Sequence, residues 1–437
     1  MKRKSVILLA AFLTMAAALT GCKNSGTTQT ESASSSTNSK GEDGKIRISL
    51  WHVWPEANGG TAQSFAKTLE EVQEKFPEVE FDIDAVADSG DAYKTKIKTA
   101  VAGGELPDIF YTWGGGFSET FVESGNVLCL DDYTTDETKD KFIEGTTDFF
   151  TYDGGLYGYP LRTNVGVLFC NKAMFEKAGL EIPQTFDELL NVVTAFREQG
   201  ITPFALGGKN PSDIAWWTDQ LTERTAGVDY VNQILAGEAT MDTPEVKQAA
   251  EAFKKLVDAG AFDTGAAATS RDEAYTIFTA GNTPMYFVGS WYCATIMASD
   301  IKDDVVVTNF PTIEGGKGAA TEYLGGADQT FMINSKVENP EKVMEVYTYM
   351  CERFSENVFL GGAGLPAWKT NVDVSDIENT LLVDTYNLYK NSTGVNLWWD
   401  NALLGQPATE HMDTATKLFL GNITPDEFVS MNVKILK

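Results

Sequence analysis

The stretch Asp153–Leu180, "DGGLYGYPLRTNVGVLFCNKAMFEKAGL", decides how the chain is read. Gly154 and Gly155 mark a turn. A short extended segment follows, then the apolar run Val165–Cys170, then a helical pattern from Lys172. An apolar run of this length, bounded by turn residues, reads as a strand buried on both faces. The short segment ahead of it reads as a crossing between two blocks, one before about residue 155 and one after about 165.

Outward from that point, strand and helix patterns alternate. "KIRISLWHVW" (45–54) is a strand, and "TAQSFAKTLEEVQEKFP" (61–77) an amphipathic helix stopped by Pro77. "VEFDIDAVA" (79–87), "DAYKTKIKTAVAGGELP" (91–107) and "DIFYTW" (108–113) continue as strand, helix and buried strand, with glycines at 114–116. These are βαβ signals, which predict a mainly parallel sheet with ligands beyond the carboxyl ends of its strands. Trp51, Trp54, Trp113 and Asp88 fall at those ends. In the second block, "PQTFDELLNVVTAFREQG" (183–200) is a helix and "ITPFALGG" (201–208) reads as a strand. "SDIAWWTDQLTERTAG" (212–227) begins a helix, and "RDEAYTIFTAGNTPMYFVGSW" (271–291) is helix, turn and strand. A second extended crossing is expected near 308–314, and the rest is mostly helical from Pro340.

The N-terminus lies outside this pattern. Lys2, Arg3 and Lys4 precede an uncharged apolar run to Thr20 and the sequence "LTGC", ending at Cys22. That reads as a secretory signal over 1–21. The small residues before Cys22 resemble a bacterial lipobox, which implies Cys22 as the lipid-bearing first residue of a lipoprotein, the alternative being an ordinary signal peptide that contains a cysteine. Residues 22–44 are rich in Ser, Thr and Gly with no large apolar side chain, and read as a flexible tether. The formal charge is −28, and loss of the three basic residues of the signal makes it −31. Such acidity disfavours nucleic acid. Cys129, Cys170, Cys293 and Cys351 are widely spaced, and His52 and His411 are the two histidines, so the pattern carries no metal-site spacing. No cofactor is expected.

The order of segments resembles the extracellular solute-binding proteins of ABC importers, in the sugar-binding group that includes maltose-binding and multiple-sugar-binding proteins. "LYGYPLRTNVGVLFCNKAMFEKAGLEIPQTFDEL" (156–189) carries the most specific likeness. "PDIFYTWGGG", "AYTIFTAGNTPMYFVGSW", "FPTIEGG", "LPAWK" and "GNITPDEF" follow in the family's order. The resemblance implies an α/β two-lobe clamp of type II with a hinge and a helical C-terminal part. It places 45–160 with 314–364 in one lobe and 161–313 with 365–437 in the other. It further implies a monomer without enzymatic activity that hands its ligand to membrane permease subunits.

Sugars offer apolar C–H faces for aromatic stacking and hydroxyl rims for polar side chains. The expected ligand is therefore a carbohydrate, and the nine tryptophans favour an oligosaccharide. The expected stacking set is Trp51, Trp54, Trp113, Trp216, Trp217, Trp291, Trp398 and Trp399, with one ring of each adjacent pair facing the cleft and the other packing. Trp291 leads, because its position resembles the family's G-x-W and it follows a buried strand in which Gly289 permits close approach. His52, Asp88, Arg162, Asn164, Asp328 with Gln329, and Asp400 are the expected polar contacts, Arg162 being the sole cation. An aromatic box also suits a polyamine or other cationic solute. A secreted glycoside hydrolase is the rival class, since it too sets tryptophans beside carboxylates.

Overall fold

The computed structural model describes residues 44–55, 60–86, 92–403 and 405–436. Cys22, the expected signal and most of the tether lie outside them, as does Asp88.

The chain begins with β1 (Ile46–His52), α1 (Gly60–Lys75), β2 (Val79–Ala85), α2 (Ala92–Gly103) and β3 (Ile109–Trp113). β1 pairs in parallel with both β2 and β3, as expected. Two further strands, Gln329–Ile333 and Tyr159–Pro160, complete a five-stranded sheet and run antiparallel to their neighbours. Each lies beside a crossing between the sheets. α1 buries Phe65, Thr68 and Val72, spaced three or four residues apart, which is one helix face. It packs on the long helix Pro340–Leu360, where Arg353 Nε donates to Glu71 at 2.7 Å.

The second sheet is built around Asn164–Asn171, buried along its whole length as the sequence predicts. Met285–Gly289, Val305–Thr308 and Glu322–Gly326 all pair with it antiparallel, and Gly394–Asn396 lies beyond Glu322–Gly326. Residues 201–208 are not the expected strand. They contribute only an isolated bridge at Phe204 to Phe262 and Met285. Helices surround this sheet, including Pro211–Ala226, which is buried along nearly its whole length.

Two hydrophobic cores accompany the two sheets. One collects Ile48–Leu161 and Ala327–Trp368, the other Val165–Leu324, Ile377–Val429 and a few residues around Leu365. The core changes between Leu161 and Val165, between Leu324 and Ala327, and again near Thr163 and Leu365, whose backbones pair with each other. This is the α/β clamp. The return crossing differs from the expectation near 308–314. Glu322–Gly326 still pairs in the second sheet, and the chain changes sheet at Ala327–Asp328. The turn needs Gly325 and Gly326 at φ +137° and +131°, where a Cβ on Gly325 would come within 2.2 Å of Asn164 O. Trp368 packs into the first core, not the second. Its ring lies 4.5 Å from Phe142, and its Nε1 donates to Pro160 O at 2.7 Å.

Candidate functional site

A cavity of about 400 Å³ opens where the two cores meet. Its lining comes from both. Trp54 lies just beyond β1, Tyr111 in the middle of β3 and Trp113 at its end, with Lys94 from α2. Trp216, Trp291 and Trp398 face it from the second core, with Arg271 and Asp400. Arg162, Asp328 and Gln329 line it from the crossings.

The first wall is a fused aromatic surface. Trp54 and Trp113 each meet Tyr111 edge-on at 5.0 Å, and Trp54 also packs on Phe65 and Phe354. Such T-shaped contacts set the positive edge of one ring against the face of the next. Lys94 Nζ lies over the Trp113 ring at 4.8 Å.

The second wall is held partly by polar anchors. Trp216 Nε1 donates to Asp400 Oδ1 at 3.1 Å, and its ring meets Trp398 at 4.7 Å and Trp291 at 5.8 Å. The Arg271 guanidinium lies 4.9 Å from the Trp216 ring centre and is gripped by buried Asp213, with Nε at 3.0 and 3.1 Å from the two carboxylate oxygens. Trp291 Nε1 donates to Tyr275 Oη at 2.9 Å. The Trp291 ring folds back over Gly289, where a Cβ would lie 1.9 Å from its Cζ3. Only glycine fits there.

Arg162 is buried. It donates through Nε to Gln329 at 3.0 Å, and through an Nη to Thr61 and the Ala363 carbonyl, each at 2.7 Å. Asp328 Oδ2 accepts from Asn401 Nδ2 at 3.2 Å. Burial pushes the Asp328 carboxyl up to about 7, against the lowering effect of Arg162. Asp328 Oδ1, Asn401 Oδ1 and Trp398 Nε1 are buried with no hydrogen-bond partner among the described residues.

Of the expected residues, Trp54, Trp113, Arg162, Trp216, Trp291, Asp328, Trp398 and Asp400 line the cavity. Within each adjacent pair one ring faces it. Trp217 packs among Phe204, Phe262 and Phe287, and Trp399 stacks on His411. Trp51 does not line the cavity. It packs beside the first core under Lys96 Nζ, 3.8 Å from its ring centre. His52 serves the strand end instead: its Nδ1 accepts from Trp54 N at 3.1 Å. Burial lowers its pKa to about 4, so it is neutral. Asn164 is buried beside Asp328 and outside the lining.

Sequence reasoning missed Tyr111, Lys94, Arg271 and Asn401, and it was wrong to make Arg162 the sole cation. The spacing of "DAYKTK" puts Tyr93 and Lys94 on different faces of α2, with Tyr93 buried and Lys94 partly exposed, but no local signal says which face meets a cavity. Cys170, Cys293 and Cys351 are buried free thiols, and Cys129 is a partly exposed one.

A clamp of two sheets around an aromatic cleft has the form to capture a solute, and the fold by itself fixes no reaction. The family model for bacterial extracellular solute-binding proteins matches residues 58–352, and the chain belongs to that family. It is similar to the multiple sugar-binding protein of Streptococcus mutans, 22% identical over 71% of this chain and 72% of the relative. A structure solved in work on xylan utilisation by Caldanaerobius polysaccharolyticus is 36% identical, with a TM-score of 0.84, over 89% of this chain and all of that one. A chitin oligosaccharide binding protein is 25% identical with a TM-score of 0.79, over 90% of this chain and 98% of that one. The family is one of extracellular solute-binding proteins, and the Streptococcus and chitin oligosaccharide relatives are binding proteins by name.

Proposed function

We propose that this protein captures a neutral oligosaccharide between its lobes and delivers it to an ABC permease. The carrying observation is the pair of facing aromatic walls around a cavity that also holds unpartnered, buried hydrogen-bonding atoms. Flat aromatic rings take sugar C–H faces, and orphaned polar atoms take hydroxyls. Around the cavity, Lys94, Arg162 and Arg271 are matched by Asp213, Asp328 and Asp400. Formal charges balance, which favours a neutral ligand over a polyamine, despite the acidity of the whole chain. The cavity volume sits at the lower end of the range for small-molecule sites, roughly 300–1,000 Å³.

The relative from xylan-utilisation work makes short xylo-oligosaccharides the first probes. Capture occurs without turnover, and the ligand leaves chemically unchanged. Cys22 carries the lipid that holds the mature chain at the outer face of the cell membrane. Among the described residues, no helix is long and apolar enough to cross a membrane.

The test is a thermal-shift screen of the chain lacking residues 1–21 against xylo-, malto- and chito-oligosaccharides, monosaccharides and polyamines. A ligand that binds only the folded state raises Tm. We expect a rise with one oligosaccharide series and none with polyamines. A rise with polyamines alone overturns the reading. Reducing ends appearing at a protein-dependent rate would show an enzyme.

A further inference from the structure

Asp328 and Asn401 meet across the cleft from different parts of the fold. Asp328 sits in the crossing between the two sheets, and its carbonyl accepts from Gly114 N at 2.8 Å, which fixes it to the end of β3. Asn401 lies on the short helix Trp399–Ala402, against the second core. The approach is close on both sides: a Cβ on Gly115 would lie 2.6 Å from Leu397 Cδ2 and 3.0 Å from Asn401 O.

The hydrogen bond between them fixes the chemistry of what remains. Asn401 Nδ2 donates to Asp328 Oδ2, so the Asn401 amide cannot turn without losing that bond. Its free atom is therefore the carbonyl Oδ1. Asp328 Oδ1 is a second acceptor, and Trp398 Nε1 is a donor. All three atoms are buried and lack a partner among the described residues, and all three residues line the cavity. As residues, Asp328, Asn401 and Trp398 are 4%, 4% and 2% exposed. Two acceptors and one donor on the lining of one cavity suit a ligand with two donating groups, one of which also accepts. Two neighbouring hydroxyls meet that requirement. A carboxylate has no proton to give either acceptor, and an ammonium has no lone pair for Trp398.

We propose that Asp328, Asn401 and Trp398 are the specificity-determining set of this site, reading an unsubstituted vicinal diol on a sugar ring. The inference rests on the carbohydrate reading and goes beyond it: a ring acetylated or otherwise substituted at either hydroxyl is rejected. Substitution removes the proton that fills a buried acceptor. A desolvated acceptor left empty costs more than the hydrogen bond to it contributes when made.

The experiment is calorimetric titration of the chain lacking residues 1–21 with xylotriose, with xylotriose acetylated at O2 or O3, and with the corresponding deoxy sugars. We expect modification on one ring to weaken binding on the order of 10- to 100-fold, with smaller effects on the others. In Asn401→Ala, the parent and the sugar modified at the hydroxyl that Asn401 reads should bind alike, both weakened, while modification at the other hydroxyl still discriminates. A merely structural role for Asn401 would weaken both and keep their ratio. Equal binding of parent, acetylated and deoxy sugars to the unaltered chain overturns the inference and leaves the receptor reading standing. The sugar series on the unaltered chain decides even if Asn401→Ala does not fold. If neither these sugars nor any saccharide in the thermal screen binds, the receptor reading falls first and this inference with it.

Discussion

The two walls of the cleft are built in different ways. On the first, Trp54 and Trp113 stand at strand ends and brace against Tyr111, in the middle of β3, edge to face. On the second, Trp216 and Trp291 are pinned by single hydrogen bonds to Asp400 and Tyr275. The third ring there, Trp398, has its Nε1 left unpartnered among the described residues. Ring-on-ring packing braces the first wall, with Lys94 over Trp113, so it is preorganised before ligand arrives. The second depends on side chains brought from a helix, a turn and a helix start. A clamp of this kind keeps one rigid platform and places its hydrogen-bonding discrimination on the other.

The adjacent pairs offer the sharpest way to break that comparison. Trp217→Ala should have the largest effect, a stability loss of about 3–5 kcal/mol, because its ring is enclosed by Phe204, Phe262 and Phe287. Denaturant melts check it, and the fraction still folded should bind sugar normally. Trp216→Ala, one residue away, should instead lower affinity about a hundredfold, about 2.8 kcal/mol, by calorimetry. If the two variants behave alike, the division into packing ring and cleft ring is wrong. Trp291→Ala is expected to cost more than tenfold in affinity, about 1.4 kcal/mol, with little loss of fold, since that ring is already partly exposed.

A smaller effect concerns pH. Burial raises Asp328 and Glu223 each to about 7, and the Asp219 carboxylate beside it overcomes burial to raise His411. All three hold protons more tightly folded than unfolded. Their stabilising contribution is complete at low pH, below the unfolded values, and is lost as pH rises through the folded values. His52, lowered to about 4, acts oppositely but only below its ordinary value of 6.5. Tm should therefore fall as pH rises from 6.5 to 8.5. A Tm that rises across that window contradicts the burial of these groups. The smallest expected effect is Trp51→Ala, less than about threefold in affinity, because Trp51 lies outside the lining. A tenfold loss there would move the first wall.

The strand-end tryptophans were legible because a period-two apolar pattern shows where a strand stops. That logic put Trp54 and Trp113 at the cleft and failed for Trp51, whose side chain lies on the other side of a strand still paired to β2 and β3. It failed for His52 because a buried imidazole found a nearer partner, the Trp54 amide. Within the pairs at 216–217 and 398–399, sequence implied one inward ring but could not choose it. On a helix buried along nearly its whole length, both faces read as apolar. Arg271 and Asn401 carry no local signature at all, since their roles arise from Asp213 and Asp328, which are distant in the chain. The return crossing was misplaced for a related reason. The Pro and Gly residues near 311–316 look like a break, yet Glu322–Gly326 still pairs with Asn164 and Val165 through Gly325 and Gly326.

The most direct test is a crystal structure of the chain lacking residues 1–21 grown with the oligosaccharide that gives the largest thermal shift. Sugar rings are expected between the two walls, with C–H faces against Trp216, Trp291 or Trp398 on one side and Trp54 or Trp113 on the other. A sugar bound elsewhere, or held with none of these rings touching it, would contradict capture between two aromatic walls.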